Sequence, residues 1–356
     1  MPLDLPAVPA LDGDAAAAAA QARQALPVGA LGVWGSVIDL LAAAAGSADR
    51  PLAPRRPQLV VLAADHGIAV LEVSAAQPGE TATRATDLMS GRGLSAALAA
   101  AAGVGIRVVD VGITEPVPAV PDRSADAAPS NRIDIADAMT HQQAEAAFDV
   151  GRRIADAEVD AGADLLIGAV CGVGVSTPVA VLTAALTGME PVDATSRGSG
   201  IDDGAWIRKA AAVRDALFRV RRGDTDVLAM LATGGGPDLA ALTGFIAQAA
   251  IRRTVVLIHD MPSTVAAVLA HRVAPGADNY LLIAALAPDR SHRRLLDLIG
   301  REPLTDWSIT GHSGVGALLV VPALAAAAQA FDDIDRDLPA PARSAAAIGS
   351  WDATLL

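Results

Sequence analysis

The stretch DLLIGAVCGVGVSTP, residues 164–178, contains the transition that decides the fold, because a strand pattern runs directly into a glycine-rich loop. Residues 164–170 are apolar throughout rather than at alternate positions, which is typical of a strand covered on both faces. A helical pattern follows at 178–186, and a helix N-terminus that follows a flexible loop favours the binding of an anion. The candidate phosphate ligands in this loop are Gly172, Gly174, Ser176 and Thr177.

A second glycine-rich loop, SRGSG, occupies residues 196–200 and again leads into a helical pattern. Either loop alone indicates only a tight turn, since short glycine patterns recur by chance. Two such loops flanking one helix, with a lysine downstream, predict a site for a phosphorylated small molecule. The candidate ligands here are Ser196, Arg197, Gly198, Ser199 and Lys209, and Gly235 and Gly236 form a third possible anion site.

Strand and helix patterns alternate along the chain, which predicts an open α/β fold with a parallel sheet and ligands at the carboxyl ends of the strands. The first 55 residues read as a helical appendage. Strands are predicted at 58–65, 106–113, 164–170, 226–232, 254–260 and 279–286. Helices are predicted at 15–26, 30–45, 81–102, 140–161, 178–186, 202–220, 238–252, 263–272, 290–299 and 315–331.

The composition limits which binding partners and which cellular compartment we expect. The net charge of −13 and the 3% aromatic content argue against nucleic acid as a partner. Cys171 is the only cysteine, which fits a reducing cytosol. The chain starts without the pattern of a secretory signal, and its longest apolar stretch, 315–328, contains Pro322. A cytoplasmic protein that does not enter a membrane is predicted.

Polar residues at strand ends offer further chemistry. Asp65 and His66 follow the first predicted strand, where they either act on a substrate or brace neighbouring loops. The six histidines show no metal-ligand spacing, so neither a metal nor another cofactor is predicted. Ser176 has the Gly-x-Ser form but lacks the second glycine of the Gly-x-Ser-x-Gly motif of a hydrolase nucleophile, and no glycine loop ends in Gly-Lys-Ser/Thr.

The order and spacing of the motifs between residues 25 and 330 resemble the nicotinate-nucleotide:dimethylbenzimidazole phosphoribosyltransferase family. The matching segments include AADHG (63–67), VDVG (109–112), AGADLL (161–166), SRGSGIDD (196–203) and GGPDLAA (235–241). The resemblance implies a doubly wound, mostly parallel sheet with a small helical domain formed by both chain ends, in a homodimer. The implied domains are 1–55 and 311–356 for the helical part and 56–310 for the nucleotide-binding part.

The resemblance also implies a reaction that needs no cofactor. An azole nitrogen attacks the anomeric carbon of nicotinate mononucleotide, nicotinate leaves, and an α-ribotide of cobalamin biosynthesis forms. Glu80 and Thr83 lie near the implied azole pocket. Ser313 stands where the family carries its glutamate base, and His312, His259 or Asp65 are the candidate substitutes.

Two functional hypotheses remain open at this point, since an unactivated serine hydroxyl does not replace a carboxylate base. The first is an active phosphoribosyltransferase with a changed base. The second is a binding protein that senses the nucleotide or azole, or that serves as one subunit of a hetero-oligomer with a related chain. A third, unrelated hypothesis is a generic sugar-phosphate enzyme of α/β fold.

Overall fold

A computed structural model describes residues 3–311 and 313–334, and within them the chain forms six strands in one sheet. The strands are β1 (Pro57–Ala64), β2 (Gly105–Gly112), β3 (Leu165–Cys171), β4 (Val256–Ile258), β5 (Leu281–Ala285) and β6 (Pro303–Thr305). Their order across the sheet is β2-β1-β3-β4-β5-β6, and each of these pairings is parallel. The predicted parallel α/β fold is confirmed.

Helices connect the strands, as a parallel sheet requires. The α-helices are α1 (Gly13–Ala22), α2 (Trp34–Ala45), α3 (Glu80–Met89), α4 (Leu94–Ala102), α5 (His141–Asp160), α6 (Ser176–Thr187), α7 (Pro191–Ala194), α8 (Asp203–Arg222), α9 (Val227–Gly234), α10 (Pro237–Ile251), α11 (Met261–Val273), α12 (Arg290–Ile299) and α13 (Val315–Asp332). Short 3₁₀ turns occur at Arg23–Ala25, Gly67–Leu71 and Ala277–Tyr280.

Small side chains allow very close packing between α5 and α10. A Cβ atom at Gly151 would lie 1.7 Å from the Ala241 carbonyl oxygen, and one at Gly244 would lie 2.0 Å from the Phe148 carbonyl oxygen. These two glycines therefore set the separation of the helix axes. Helix α10 is almost fully buried and also packs against β1, β2 and β3.

The two ends of the described chain meet. Helix α13 packs against α2, and the Asp332 carboxylate accepts hydrogen bonds from the backbone N–H groups of Leu52 and Ala53 at 2.9–3.0 Å. Helix α13 also contacts β5, so it belongs to the core of the sheet as well. The domain limits 1–55, 56–310 and 311–356 stay a prediction, and residues 335–356 lie outside the described part.

Two predicted elements are wrong. The apolar run 226–232 is the helix α9, whose N-terminus is capped by Asp226 through the Ala229 N–H at 3.3 Å. Leu, Ala and Met favour helix, and a short apolar run alone does not separate a buried helix from a strand. The single helix predicted at 81–102 is two helices, because Gly91 and Gly93 have φ values of +71° and +89°.

Candidate active site

The loops at the carboxyl edge of the sheet build the candidate site. The chain leaves β1 towards β2 on one side and later returns to β3 on the other, so the strand order reverses between β1 and β3. Ligands of open α/β folds bind in the crevice at such a reversal. Here the loop after β3 lies beside the loops that follow β4, β5 and β6, as shown by the residues that line two cavities.

The two cavities share one wall. The first, about 340 Å³, has Arg84, Asp87, Cys171 and Ser313 among its lining residues, and we call it the Arg84 cavity. The second, about 400 Å³, is lined in part by Ser196, Gly198, His259, Asp260, Asp289 and Arg290, and we call it the Asp260 cavity. Val175, Ser176 and Gly311 line both. Two ligands held in these cavities would therefore meet at the shared wall.

A buried amine stands behind this wall. Lys209, from the first half of α8, is fully buried, and its Nζ donates hydrogen bonds to Ser176 Oγ at 3.0 Å and to the Ser196 carbonyl at 2.9 Å. Burial lowers the pKa of Lys209 to about 8, so the amine is predominantly protonated at neutral pH. Ser176 is the first residue of α6, so a cation and a helix N-terminus are combined at one point.

Gly198 lets the second glycine loop approach this amine. Its φ is +51°, and a Cβ atom there would lie 3.0 Å from Ser176 Oγ and 3.2 Å from Lys209 Nζ. A side chain at this position would fill the space beside the amine. The two loops thus converge on Lys209, and the phosphate site that their spacing suggested stays a prediction.

Of the predicted ligands, a subset reaches the cavities. Those lining the Arg84 cavity are Gly172, Gly174, Ser176, Ser199 and Ser313. Those lining the Asp260 cavity are Ser176, Ser196 and Gly198. Those lining neither are Asp65, His66, Glu80, Thr83, Thr177, Arg197, Lys209, Gly235 and Gly236. His312 lies outside the described residues.

Arg197 is held within its own loop. Its guanidinium pairs with the Asp203 carboxylate and donates to the Ile201 carbonyl at 2.9 Å. Its side chain is more than half exposed, so the ion pair stiffens the loop more than it stabilises the fold. Thr177 is fully buried in α6 and lines neither cavity.

Asp65 and His66 brace the loops behind the site. Asp65 accepts hydrogen bonds from the N–H and hydroxyl of Thr114 at 2.9 and 2.8 Å, which ties the end of β1 to the end of β2. His66 Nε2 lies 3.0 Å from Asp238 Oδ2, and both side chains are almost completely buried. Of the two roles that the sequence left open for this pair, the geometry fits bracing.

The third predicted anion site, Gly235-Gly236, serves the same brace. A Cβ atom at Gly236 would lie 2.6 Å from His66 Cε1, so the absence of a side chain admits the imidazole. These glycines join α9 to α10 rather than following a strand, because the strand predicted at 226–232 is a helix. Neither glycine lines a cavity.

Ser313 lines the Arg84 cavity, but its hydroxyl is engaged. Ser313 Oγ donates to the Val170 carbonyl at 3.3 Å, and the residue has a φ of +54°, which is unusual outside glycine. The hydroxyl is thus bound to the end of β3. Cys171 also lines this cavity. Burial raises the pKa of its thiol to about 11, so the thiol stays protonated at neutral pH and does not act as a nucleophile.

Charged side chains of α3 and the following turn were missed by sequence reasoning. Arg84 pairs with Glu80 at 3.3 Å, and Arg92 pairs with Asp87 at 2.7 Å. Arg84, Asp87 and Arg92 line the cavity, whereas Glu80 and Thr83 do not. The signal lay in the Gly91 and Gly93 break, which turns the end of α3 towards the loop after β3.

His292 is fully buried and lines neither cavity, but it bonds to Ala287, which lines the Asp260 cavity. Burial, together with the neighbouring His259, lowers the pKa of His292 to about 4, so the ring is neutral. Its Nδ1 accepts the Ala287 N–H at 2.9 Å, and its Nε2 therefore donates to Thr264 Oγ1 at 2.9 Å. His292 thereby joins α12 to α11. Within residues 3–311 and 313–334, no cluster of three or more His, Cys, Asp or Glu residues has the arrangement of a metal site.

Comparisons with known proteins give a consistent result. The sequence profile of a phosphoribosyltransferase family matches residues 8–337. The nicotinate-nucleotide–dimethylbenzimidazole phosphoribosyltransferase of Mycobacterium avium (strain 104) is 43% identical over 327 residues, which cover 90% of this chain and 92% of that protein. The enzyme of the same name from Mycobacterium tuberculosis is 41% identical over 327 residues, which cover 90% of each chain.

Solved structures agree with the sequence relatives. The crystal structure of CobT from Thermus thermophilus superposes with a TM-score of 0.82 at 32% identity, covering 89% of this chain and 96% of the other. A second structure from the same organism, of an enzyme with the same activity name as the mycobacterial proteins, also has a TM-score of 0.82, at 31% identity. It covers 90% of this chain and 96% of its own.

Proposed function

Since the chain belongs to the nicotinate-nucleotide–dimethylbenzimidazole phosphoribosyltransferase family, we propose that it transfers the phosphoribosyl group of nicotinate mononucleotide to dimethylbenzimidazole or a related azole. The observation that carries the proposal is the position of Lys209. Its amine meets Ser176 Oγ, and Ser176 lines both cavities. A phosphate bound there would place the attached ribose beside the shared wall, with one cavity on either side.

The bond changes are those of a nucleophilic substitution at the anomeric carbon. The azole nitrogen forms a bond to this carbon, and the bond to the pyridine nitrogen breaks with its electron pair going to nicotinate. The second azole nitrogen then loses its proton. Because the transition state resembles an oxocarbenium ion, holding the two rings in line across the shared wall supplies much of the acceleration.

A missing base is the observation that favours the second hypothesis, a protein that binds these ligands without turning them over. Ser313 holds its hydroxyl on the Val170 carbonyl, and the Asp87 carboxylate that lines the same cavity is paired with Arg92. Losing a general base costs roughly 10²- to 10⁴-fold in rate. The same scaffold would then serve as a sensor or as one subunit of a hetero-oligomer.

One experiment distinguishes the two functions. Purified protein is incubated with nicotinate mononucleotide and a panel of azoles, and the α-ribotide and free nicotinate are quantified together by mass spectrometry. Stoichiometric formation of both supports the transferase. If neither forms but the mononucleotide raises the melting temperature, the binding protein is supported. If there is neither turnover nor stabilisation, both proposals are wrong.

We further propose that the protein acts in the cytoplasm as a homodimer, or paired with a related chain. The single cysteine supports a reducing compartment. Helix α13 is long and apolar enough by composition to cross a membrane. However, 56% of this 18-residue helix is buried inside the protein. Sedimentation velocity of the purified chain measures the oligomeric state directly.

A further inference from the structure

Asp260 carries a buried carboxylate oxygen that is directed to no protein group. The residue follows β4 and is the N-cap of α11, where its Oδ1 accepts the Ser263 N–H at 3.0 Å. Its Oδ2 has no hydrogen-bond partner among the described residues, although Asp260 is only 5% exposed. Asp260 lines the cavity of about 400 Å³ that is named after it. Capping therefore uses one oxygen of a cavity-lining residue and leaves the other unpaired among the described residues.

A buried oxygen of this kind is costly unless something binds it. Removing a polar atom from water without a replacement hydrogen bond is unfavourable, and nearly all buried polar groups in proteins are paired. A serine, threonine or asparagine would cap α11 equally well. The carboxylate is thus more than the helix requires, and a ligand with hydrogen-bond donors would compensate for it.

The charges around Asp260 indicate which kind of donor fits. Asp193 and Asp289 also line this cavity, and Arg290 is the only arginine or lysine among its described lining residues. A ligand group that carries negative charge is therefore disfavoured beside Asp260. Neutral hydroxyl groups satisfy a carboxylate without adding charge, and carboxylates commonly bind the hydroxyls of a nucleotide ribose in α/β folds.

The same cavity also includes Ser176, which is bound to the Lys209 amine. One cavity thus offers an anion site at one place and a free carboxylate oxygen at another, which matches a sugar phosphate with free hydroxyls. We infer that Asp260 binds the ribose hydroxyls of the nucleotide donor and so orients its anomeric carbon towards the Arg84 cavity. This inference rests on the proposed function, because the nucleotide is the donor proposed there.

Nucleotide binding to the full chain tests the inference without requiring turnover. Calorimetry compares nicotinate mononucleotide with its 2′,3′-dideoxy analogue for the wild-type protein and for Asp260→Asn. Asparagine retains an oxygen for the helix cap and replaces the second oxygen by an NH₂ group. The control is Asp12→Asn, the same change at the N-cap of α1, where the aspartate accepts the Ala15 N–H at 2.9 Å.

The wild-type protein should prefer the ribose nucleotide over the dideoxy analogue by about ten- to a hundredfold. Asp260→Asn should abolish most of this preference while binding the analogue as the wild type does, and Asp12→Asn should behave as wild type. An unchanged preference in Asp260→Asn overturns the inference. So does equal binding of both nucleotides by the wild-type protein, a result independent of how the variant folds. If the wild-type protein binds neither nucleotide, the proposed function itself fails.

Discussion

Lys209 Nζ lies 3.0 Å from Ser176 Oγ, so the interior of α8 is joined to the first residue of α6 at the wall shared by two cavities. This contact joins the two glycine-rich loops, which form a single anion site in the proposed function. In that site, the charge on this amine strengthens the binding of a phosphate.

Affinity for nicotinate mononucleotide should fall as the pH rises through about 8. The free protein has a Lys209 pKa of about 8 because the amine is buried, and a bound phosphate favours the protonated form. Protonated amine is therefore lost above this pH, and binding at pH 9.5 should be weaker than at pH 7 by roughly tenfold or more. Calorimetric titration at the two pH values measures this.

Lys209→Met should bind weakly and should lose most of that pH dependence. The matched control is Arg214→Met, which removes an exposed cation of the same helix that pairs with Asp215. This control should retain both the affinity and the pH profile of the wild-type protein. A Lys209→Met protein with the wild-type pH profile would show that the titration of another group controls the affinity for the phosphate.

Ser313→Glu should raise the rate of α-ribotide formation by roughly 10²-fold, since it restores a carboxylate at the wall of the Arg84 cavity. Ser313→Gln is the control, because it has the same size and the same strain at a φ of +54° but accepts no proton. Initial rates at saturating nucleotide provide the measurement. Equal rates in the two variants would argue against position 313 as the place of the base.

His66→Ala should lower stability and leave nucleotide affinity nearly unchanged. The substitution removes the imidazole partner of the buried Asp238 carboxylate, which lowers the free energy of unfolding by about 1–3 kcal/mol. Urea denaturation measures this change. His141→Ala, at a half-exposed histidine 3.6 Å from Asp226, should change stability by no more than about 0.5 kcal/mol. A loss of turnover in His66→Ala without a loss of stability would instead assign His66 to the chemistry.

Local sequence signals predict the elements whose geometry is local. The pattern of Thr140 and Gln143 predicts a capping box, and the structure has both of its hydrogen bonds, at 2.8 and 3.2 Å. The strand prediction at 226–232 is wrong because burial on all sides looks the same in a helix and in a strand. The strand β6 has only three half-buried residues, too few to give a recognisable pattern.

In the candidate site, too, the sequence reveals what depends on spacing along the chain but not what depends on packing. Lys209 is predicted because it lies one helix away from a glycine loop, which sequence spacing reveals. The role of Asp260 depends on which of its two oxygens the helix uses, and the lining of the Arg84 cavity depends on how α3 ends. Both are properties of three-dimensional packing that no spacing along the chain encodes.

Lys209 is the only lysine in the sequence, among 27 lysines and arginines in all. The proposed anion site therefore contains the one side-chain amine of the molecule, and with a pKa of about 8 that amine is about half uncharged in mildly alkaline buffer. An amine-selective acylating reagent that reaches this amine would mark Lys209 and no other side chain. A mass increment on the peptide that contains Lys209, which peptide mapping separates from acylation of the N-terminal amine, would then report ligand occupancy without any engineered label.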